Sequence, residues 1–401
     1  ALLVVDQTIA GPLAPRLVRL ESDLTGAGWQ VLRHDAPRGI ANDPKANLAA
    51  ARELRAWISD RYLEDPFAPH ALILVGHVPL VLSGQTAPDG HAKAPHPTDL
   101  FYADIDGIWP EGPSGHLRPN IVPSGRVEMQ VGRIDFQPIS GGDPEVELAH
   151  LRAYLDKNHH WRHGLLGDLR GAYGQSPHLE VEIAGLRNIA GPERFVIGGH
   201  HDAGTERPWL FGVDFGDWQR ETYLTEPLNK AVFAINFGSG KQRIDLPGNI
   251  LTTMLAQPWY TVAVGWGGRP SWRLHHMALG RTIGYSQWRT VNNGTPSGPP
   301  QGSIDYIPTG RYLWRNPIWV NLLGDPTLAA FPLAPPGDLR VDFGANGQVL
   351  TWAPSPSEEV TGYRLYRKNP GADRYIPIDG GEPVTARQFT DTAAVDGAVY
   401  M

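Results

Sequence analysis

Residues Ala71–Gly76 read ALILVG, an unbroken apolar run closed by a glycine. A run this short and this uniformly apolar is a strand buried on both faces, as in a parallel sheet covered by helices. The residues before it agree. Over Asn47–Leu63, Leu48, Ala51, Leu54, Ile58 and Leu63 line one face of a helix, with Trp57 beside them. Earlier still, Leu2–Val5 (LLVV) is a strand. Leu13, Leu17, Leu20 and Leu24 then place a helix over 13–24 that Gly26 and Gly28 end, and Trp29–His34 (WQVLRH) is a second strand.

The same alternation continues downstream. Pro144–Lys157 reads as a helix. Leu169–Tyr173, Phe195–Ile197, Ala231–Phe237 (AVFAINF) and Trp259–Val264 (WYTVAV) read as strands, His275–Ile283 as a helix, and Ile318–Leu323 (IWVNLL) as a last strand. Short apolar strands alternating with helices predict an α/β domain over 1–332, a mostly parallel sheet flanked by helices. A division near residue 165 gives two subdomains, 1–165 and 166–332. Ligands bind outside the carboxyl ends of strands in such sheets. The segments after Val75, Phe237 and Val264 are therefore the places to look for chemistry.

Around Phe331–Pro336 (FPLAPP) the pattern changes to strand alternation with turn residues every ~8–12 positions, which predicts an all-β sandwich over 333–401. The chain opens at Ala1, directly on a strand, and stops at Tyr400-Met401. Both ends are expected to be cuts in a longer polypeptide, with any signal peptide already removed.

Composition narrows the function. The 401 residues carry a net charge of −7, with 41% hydrophobic and 19% charged residues, which is ordinary for a globular chain. No basic surplus points to nucleic acid, and no apolar run reaches the ~18 residues needed to span a bilayer. Gly 46, Pro 37 and Trp 13 imply many shaped loops on a scaffold. Cysteine is absent altogether, which excludes disulfides, thiolate metal sites and thiol nucleophiles. Its absence also favours an exported bacterial protein, extracellular, periplasmic or at the cell surface.

Two resemblances follow from local motifs. Pro335-Pro336 with Leu339, Leu350-Thr351-Trp352 with Pro354-Ser355, Gly362–Arg367 (GYRLYR) and Phe389–Thr392 (FTDT) resemble a fibronectin type III domain that lacks its final strand and a half. The resemblance makes Trp352 the core tryptophan of an early strand. In the larger part, three motifs recur in order. They are Leu72–Gly76 followed by Thr98–Gly107 (TDLFYADIDG), Val131–Ile134 (VGRI) before the long helix, and Asn321–Leu328 (NLLGDPTL) before the sandwich. Together they resemble the gingipain family of cysteine peptidases, which have a caspase-like fold. The resemblance implies a His in a Gly-His-Gly context after one strand and a Cys after the next, with a backbone N–H supporting the oxyanion. Here the first strand runs into Gly238-Ser239-Gly240-Lys241 and the second into Gly265-Trp266-Gly267-Gly268-Arg269-Pro270. Both dyad positions are read as lost.

Several residues remain as candidates. Ser239 with His275 or His276 is a substitute nucleophile–base pair, although Phe237 stands where a nucleophile elbow needs glycine. Asp99, Asp104 and Asp106, with Gly107 after them, could converge on calcium, a cation that is common in gingipain-like proteins. His200-His201-Asp202 offers metal-ligand types in a loop, and Asp214 with Asp217 offers a paired acidic site. Trp109, Trp209, Trp218, Trp266 and Trp272, all expected in loops, could form an aromatic surface for protein or carbohydrate, or else serve as buried loop anchors. The expected function is an inactive gingipain-like module of an exported multidomain protein that contacts protein partners or neighbouring domains. The alternatives are a hydrolase using Ser239 and a carbohydrate-binding surface protein.

Overall fold

Twelve strands precede the C-terminal sandwich region in a computed structural model that describes residues 1–68, 70–88, 90, 93–167, 169–175, 179–215, 229–293 and 316–401. They are β1 (Leu2–Asp6), β2 (Leu32–Ala36), β3 (Ala71–Val75), β4 (Leu82–Thr86), β5 (Ala94–Pro97), β6 (Gln130–Ile134), β7 (Ala172–Gly174), β8 (Phe195–Ile197), β9 (Trp209–Phe215), β10 (Ala231–Phe237), β11 (Ala263–Trp266) and β12 (Leu322–Gly324). The helices are α1 (Gln7–Ala10), α2 (Ala14–Gly26), α3 (Pro44–Leu63), α4 (Leu100–Ala103), α5 (Pro144–Arg162), α6 (Glu180–Ala190), α7 (Ala203–Glu206), α8 (Ile250–Ala256) and α9 (Ile283–Val291).

One sheet takes the order β2-β1-β3-β6-β12-β11-β10-β9-β7-β8, and β4 pairs with β5 apart from it. β1 runs parallel to β2 and β3, β3 to β6, and β6 to β12. On the other side β11, β10, β9, β7 and β8 are parallel to one another. β12 and β11 are antiparallel. The sheet is thus two parallel halves pointing in opposite directions. The segment after Val75 therefore opens on one edge, while those after Phe237 and β11 open on the other. The three segments singled out in the sequence do not form one site.

The join between the halves is tight. A Cβ at Gly132 would stand 2.3 Å from the Gly324 carbonyl oxygen, and one at Gly324 would stand 2.3 Å from the Val262 oxygen, with φ there at +115°. Beyond β12, Asp325 is fully buried. Its carboxylate accepts from Asn158 Nδ2 (3.0 Å), Arg162 Nη2 (2.6 Å) and both donors of Thr327 (2.6 and 2.8 Å). Its N–H donates to the Tyr154 hydroxyl (2.8 Å), which in turn donates to the Val262 carbonyl (2.7 Å). Tyr154, Asn158 and Arg162 all belong to α5, so one helix fastens both halves. This is why α5 continues to Arg162 instead of stopping at Lys157. Lys157 is itself buried and donates to the carbonyls of Leu255 (2.9 Å) and Gln257 (2.6 Å).

Other boundaries moved as well. Trp209, expected in a loop, opens Trp209–Phe215, an interior strand buried along all but its last residue. The helix expected over His275–Ile283 is a 3-10 turn, Leu274–Leu279, ended by Gly280 at φ +77°. α9 starts only after Thr282, whose side chain caps Tyr285 N. The helix α6 had not been anticipated.

The C-terminal region is all-β. β13 (Gly337–Gly344), β14 (Gly347–Ala353) and β17 (Gln388–Asp391) form one antiparallel sheet, and β16 (Ile376–Pro377), β15 (Tyr366–Lys368) and β18 (Val399–Tyr400) form another. Leu350, Trp352 and Leu365 are its buried core, joined by Tyr363, Ile378, Val384, Phe389 and Tyr400. Arg367 Nη1 reaches Asp391 at 2.7 and 2.8 Å, linking the two sheets.

Removing one member of a buried charged pair leaves the other uncompensated. Asp325→Ala is expected to lower unfolding stability by about 3–5 kcal/mol. The exposed control Asp60→Ala should stay within about 0.5 kcal/mol of wild type. Urea denaturation followed by tryptophan fluorescence measures both. Burial opposes ionisation of Asp325, but the Arg162 charge and the Thr327 and Asn158 hydrogen bonds outweigh it and hold the carboxyl below its usual range. The stabilisation is therefore present at neutral pH and is lost as pH falls below the ordinary carboxylate range.

Candidate functional site

The carboxyl edge shared by β9, β10 and β11 gathers several buried polar groups, among them Glu182, Asp214, Asn236 and Lys241. β10 and β11 are neighbours, with Asn236 opposite Trp266. After β10 the chain turns through Gly238-Ser239-Gly240 to Lys241. The Lys241 side chain is buried and folds back on the strand end, where Nζ donates to Asn236 Oδ1 (2.5 Å) and the Phe237 carbonyl (2.9 Å). Gly238, at φ +143°, leaves the room for it, since a Cβ there would lie 2.9 Å from Lys241 Nζ.

The loop after β11 closes over the same place. Trp266 Nε1 donates to the Gly238 carbonyl at 2.8 Å, which ties the two loops together. Trp272 Nε1 donates to the Trp266 carbonyl at 2.7 Å. A Cβ at Gly265 would sit 2.6 Å from the Trp272 ring, and one at Gly267 would sit 2.2 Å from Ile235 Cγ2. Neither position can carry a side chain while Trp272 and Ile235 keep theirs. Phe237 packs between Phe215 (5.5 Å) and Trp266 (5.6 Å), with the Arg269 guanidinium over its ring at 5.4 Å.

Beneath the loop lies Glu182, in the first turn of α6 and fully buried. Its Oε1 accepts from Gly268 N (3.0 Å) and Trp272 N (2.8 Å), while Oε2 has no hydrogen-bond partner among the described residues. Burial pushes its carboxyl up to about 7, against the lowering effect of the backbone N–H groups. Asp214, at the end of β9, accepts from His200 N (2.7 Å), Phe215 N (2.6 Å) and Gln175 Nε2 (3.3 Å). Burial raises its pKa as well. Each of these charged groups holds at least one backbone group.

The sequence candidates distribute as follows. Ser239 lies at the edge just described. The His275 and His276 rings lie 4.1 Å apart, tilted by 36°, and His276 packs edge-on against Tyr285 at 5.2 Å. The His275 carbonyl lies by Asn188 and its N–H by Gly185, so the pair sits against α6. In His200-His201-Asp202, His200 Nδ1 meets the Tyr173 hydroxyl at 2.6 Å, and Asp202 caps α7 through Ala203 N at 2.5 Å, so these residues do not converge. Asp217 and Trp218 lie outside the described residues. Trp109, Trp209, Trp266 and Trp272 are all buried, with every indole N–H bonded to protein. They anchor loops and form no exposed aromatic surface.

The calcium candidate is also rearranged. Asp99 is withdrawn into a buried ion pair with Arg133 (2.7 Å), and Arg133 further donates to the Val78 carbonyl at 2.7 Å. Asp104 and Asp106 are joined instead by Glu128, with carboxylate oxygens within 4.8 Å of one another. Calcium needs six to eight oxygens free to face it. Asp104 already accepts from Ser124 Oγ (2.5 Å) and Trp109 Nε1 (2.8 Å), and Glu128 accepts from Ile105 N (2.7 Å). Arg55 Nη2 donates to the carbonyls of Asp104, Ile105 and Gly107. A guanidinium thus holds the neighbouring carbonyls, and the three carboxylates that do come together are Asp104, Asp106 and Glu128. Sequence reasoning missed Glu128, Glu182 and Lys241, whose partners lie on other elements.

No family model and no curated protein matches the sequence. Among solved structures, the fold is similar to that of the Arg-specific cysteine proteinase gingipain R (RgpB). The TM-score is 0.55 at 13% identity, over 96% of this chain and 92% of that one. A structure described as a protease aligns with TM-score 0.57 and 13% identity over 96% and 92% of the two chains. The complex of the pro- and mature domains of RgpB from Porphyromonas gingivalis aligns with TM-score 0.55 and 12% identity over 96% and 94%. The likeness is one of fold, and its coverage takes in the small C-terminal sheets as well as the large one.

Glu182 generates a pH prediction. A carboxyl raised in the folded state binds protons there that the unfolded chain has released. Its contribution to stability therefore falls as pH rises from the ordinary glutamate value of 4.5 through about 7. Glu182→Gln keeps the Oε1 acceptor and removes the titration. Subtracting the unfolding free energies of the two proteins across that range should show the wild type losing relative stability as pH rises. Parallel curves would contradict this.

Proposed function

We propose that this chain is a catalytically inactive relative of the gingipain-type cysteine peptidases. In this reading the scaffold is retained as a structural or protein-interaction module of an exported or cell-surface multidomain bacterial protein, and the C-terminal all-β region is a fibronectin type III-like domain. The carrying observation is the closure of the β10–β11 edge by Lys241, Trp266 and Trp272, each hydrogen-bonded to backbone. Acyl transfer needs a nucleophile within ~2.6–3.2 Å of a base, with room for a carbonyl between nucleophile and oxyanion donors. A cysteine nucleophile is absent from the chain. At the strand ends, positions 265 and 267 accept only glycine while the loop keeps its packing. The fold likeness to RgpB supports the ancestry, and the plugged edge supports the loss of chemistry.

Fluorophosphonate labelling beside a peptide-substrate screen tests the reading, with wild type and Ser239→Ala in parallel. The expected result is no turnover and equal background labelling of both proteins. Labelling or hydrolysis that disappears in Ser239→Ala would instead establish a serine hydrolase.

A further inference from the structure

The sequence Asn158–His163 reads NHHWRH, with His159 and His163 four residues apart on one side of α5 at its C-terminal end. Asp23, near the end of α2, lies against both. Its Oδ2 meets His159 Nδ1 at 2.8 Å and its Oδ1 meets His163 Nε2 at 2.8 Å. The two imidazole rings are 4.0 Å apart, centre to centre, inclined at 41°. The three ligand atoms all lie within 4.8 Å of one another. We infer that Asp23, His159 and His163 form a binding site for a divalent transition-metal ion, with zinc the best match, which clips α2 to α5.

The donor chemistry selects the ion. Two imidazole nitrogens and one carboxylate oxygen suit zinc and its neighbours, whereas calcium and magnesium take oxygen. Zinc–ligand bonds of about 2.0–2.2 Å in a tetrahedron put the ligand atoms about 3.3 Å apart. The two 2.8 Å contacts fall on different oxygens of Asp23, so on binding the carboxylate turns to present one oxygen to both nitrogens and the contacts lengthen to that spacing. The ring nitrogens that face Asp23 now carry protons. On metal binding each proton moves to the other nitrogen of its ring, through solvent, or leaves if the ring was charged. The carboxylate is tucked in, with 7% of its side chain exposed, while the imidazoles are at 22% and 28%, so the ion has an approach from water, which would supply the fourth ligand.

The neighbouring arginines pair with a different carboxylate. Arg16 and Arg19, on the same helix as Asp23, both bind Asp156, at 2.9 and 2.5 Å. α2 and α5 thus meet through an ion-pair cluster and, farther along both helices, through the Asp–His cluster. This site is on the helical layer and does not depend on the reading of the sheet edge.

Titration of the full chain with Zn²⁺ by calorimetry, and with Co²⁺ by its visible absorption, tests the inference. The variants are Asp23→Asn, His163→Ala, His163→Gln and the neighbouring control His160→Ala, each checked for fold by circular dichroism. We expect one ion per wild-type chain, a tetrahedral Co²⁺ spectrum and a Zn²⁺-dependent rise in Tm, all kept in His160→Ala. Affinity in the folded ligand variants should fall by more than about 100-fold, the upper end of the loss caused by removing groups that merely support a ligand. Absence of saturable binding to wild type would overturn the site. So would binding that survives Asp23→Asn and His163→Gln unchanged.

Discussion

A three-residue strand holds the two halves of this protein together. β12 pairs parallel with β6 on one side and antiparallel with β11 on the other, and no other strand pair in the sheet changes direction among the described residues. So short a strand offers few ladder hydrogen bonds, and its position is fixed by what surrounds it. The Gly132–Gly324 approach brings backbone against backbone, and Asp325 is gripped from α5. The reversal decides which loops share an edge, and so it decides that β9, β10 and β11 end together.

At that edge the chain is closed from within. In an open α/β sheet the carboxyl edge is a crevice because loops diverge from the strand ends. Here the loops after β10 and β11 are joined by the Trp266–Gly238 bond, backed by Trp272, and buttressed by Glu182 from α6. Glycines at 265 and 267 are the sequence correlate of this packing. They read naturally as loop flexibility, yet they mark places where neighbouring side chains take the space. Likeness in fold to a cysteine proteinase therefore coexists with an edge whose polar groups serve backbone.

Runs such as Ala71–Val75 and Ala231–Phe237 were legible because burial on both faces leaves an unbroken apolar signature. β9 was not, because Asp214 and Trp209 look like loop residues until their partners at His200 and Ala203 are known. The alternation with helices signalled parallel strands, but the one reversal between β12 and β11 left no mark, since an apolar run carries no polarity. The acidic run at 99–106 had the right residue types, but Arg133 claimed Asp99 and Arg55 claimed the carbonyls, both from elements distant in the chain. Asp23 and the His159–His163 pair are separated by 136 and 140 positions. Only the four-residue spacing of the histidines was visible in advance.

The central claim is that Lys241 plugs the end of β10. Amine labelling of the native protein, read by peptide mass spectrometry, tests it most directly. Lys45 is exposed, while Lys241 and Lys157 are each 3% exposed. The account predicts rapid modification of Lys45 and protection of Lys241 to the same degree as Lys157. Modification of Lys241 at the rate of Lys45 would show an open crevice and contradict it.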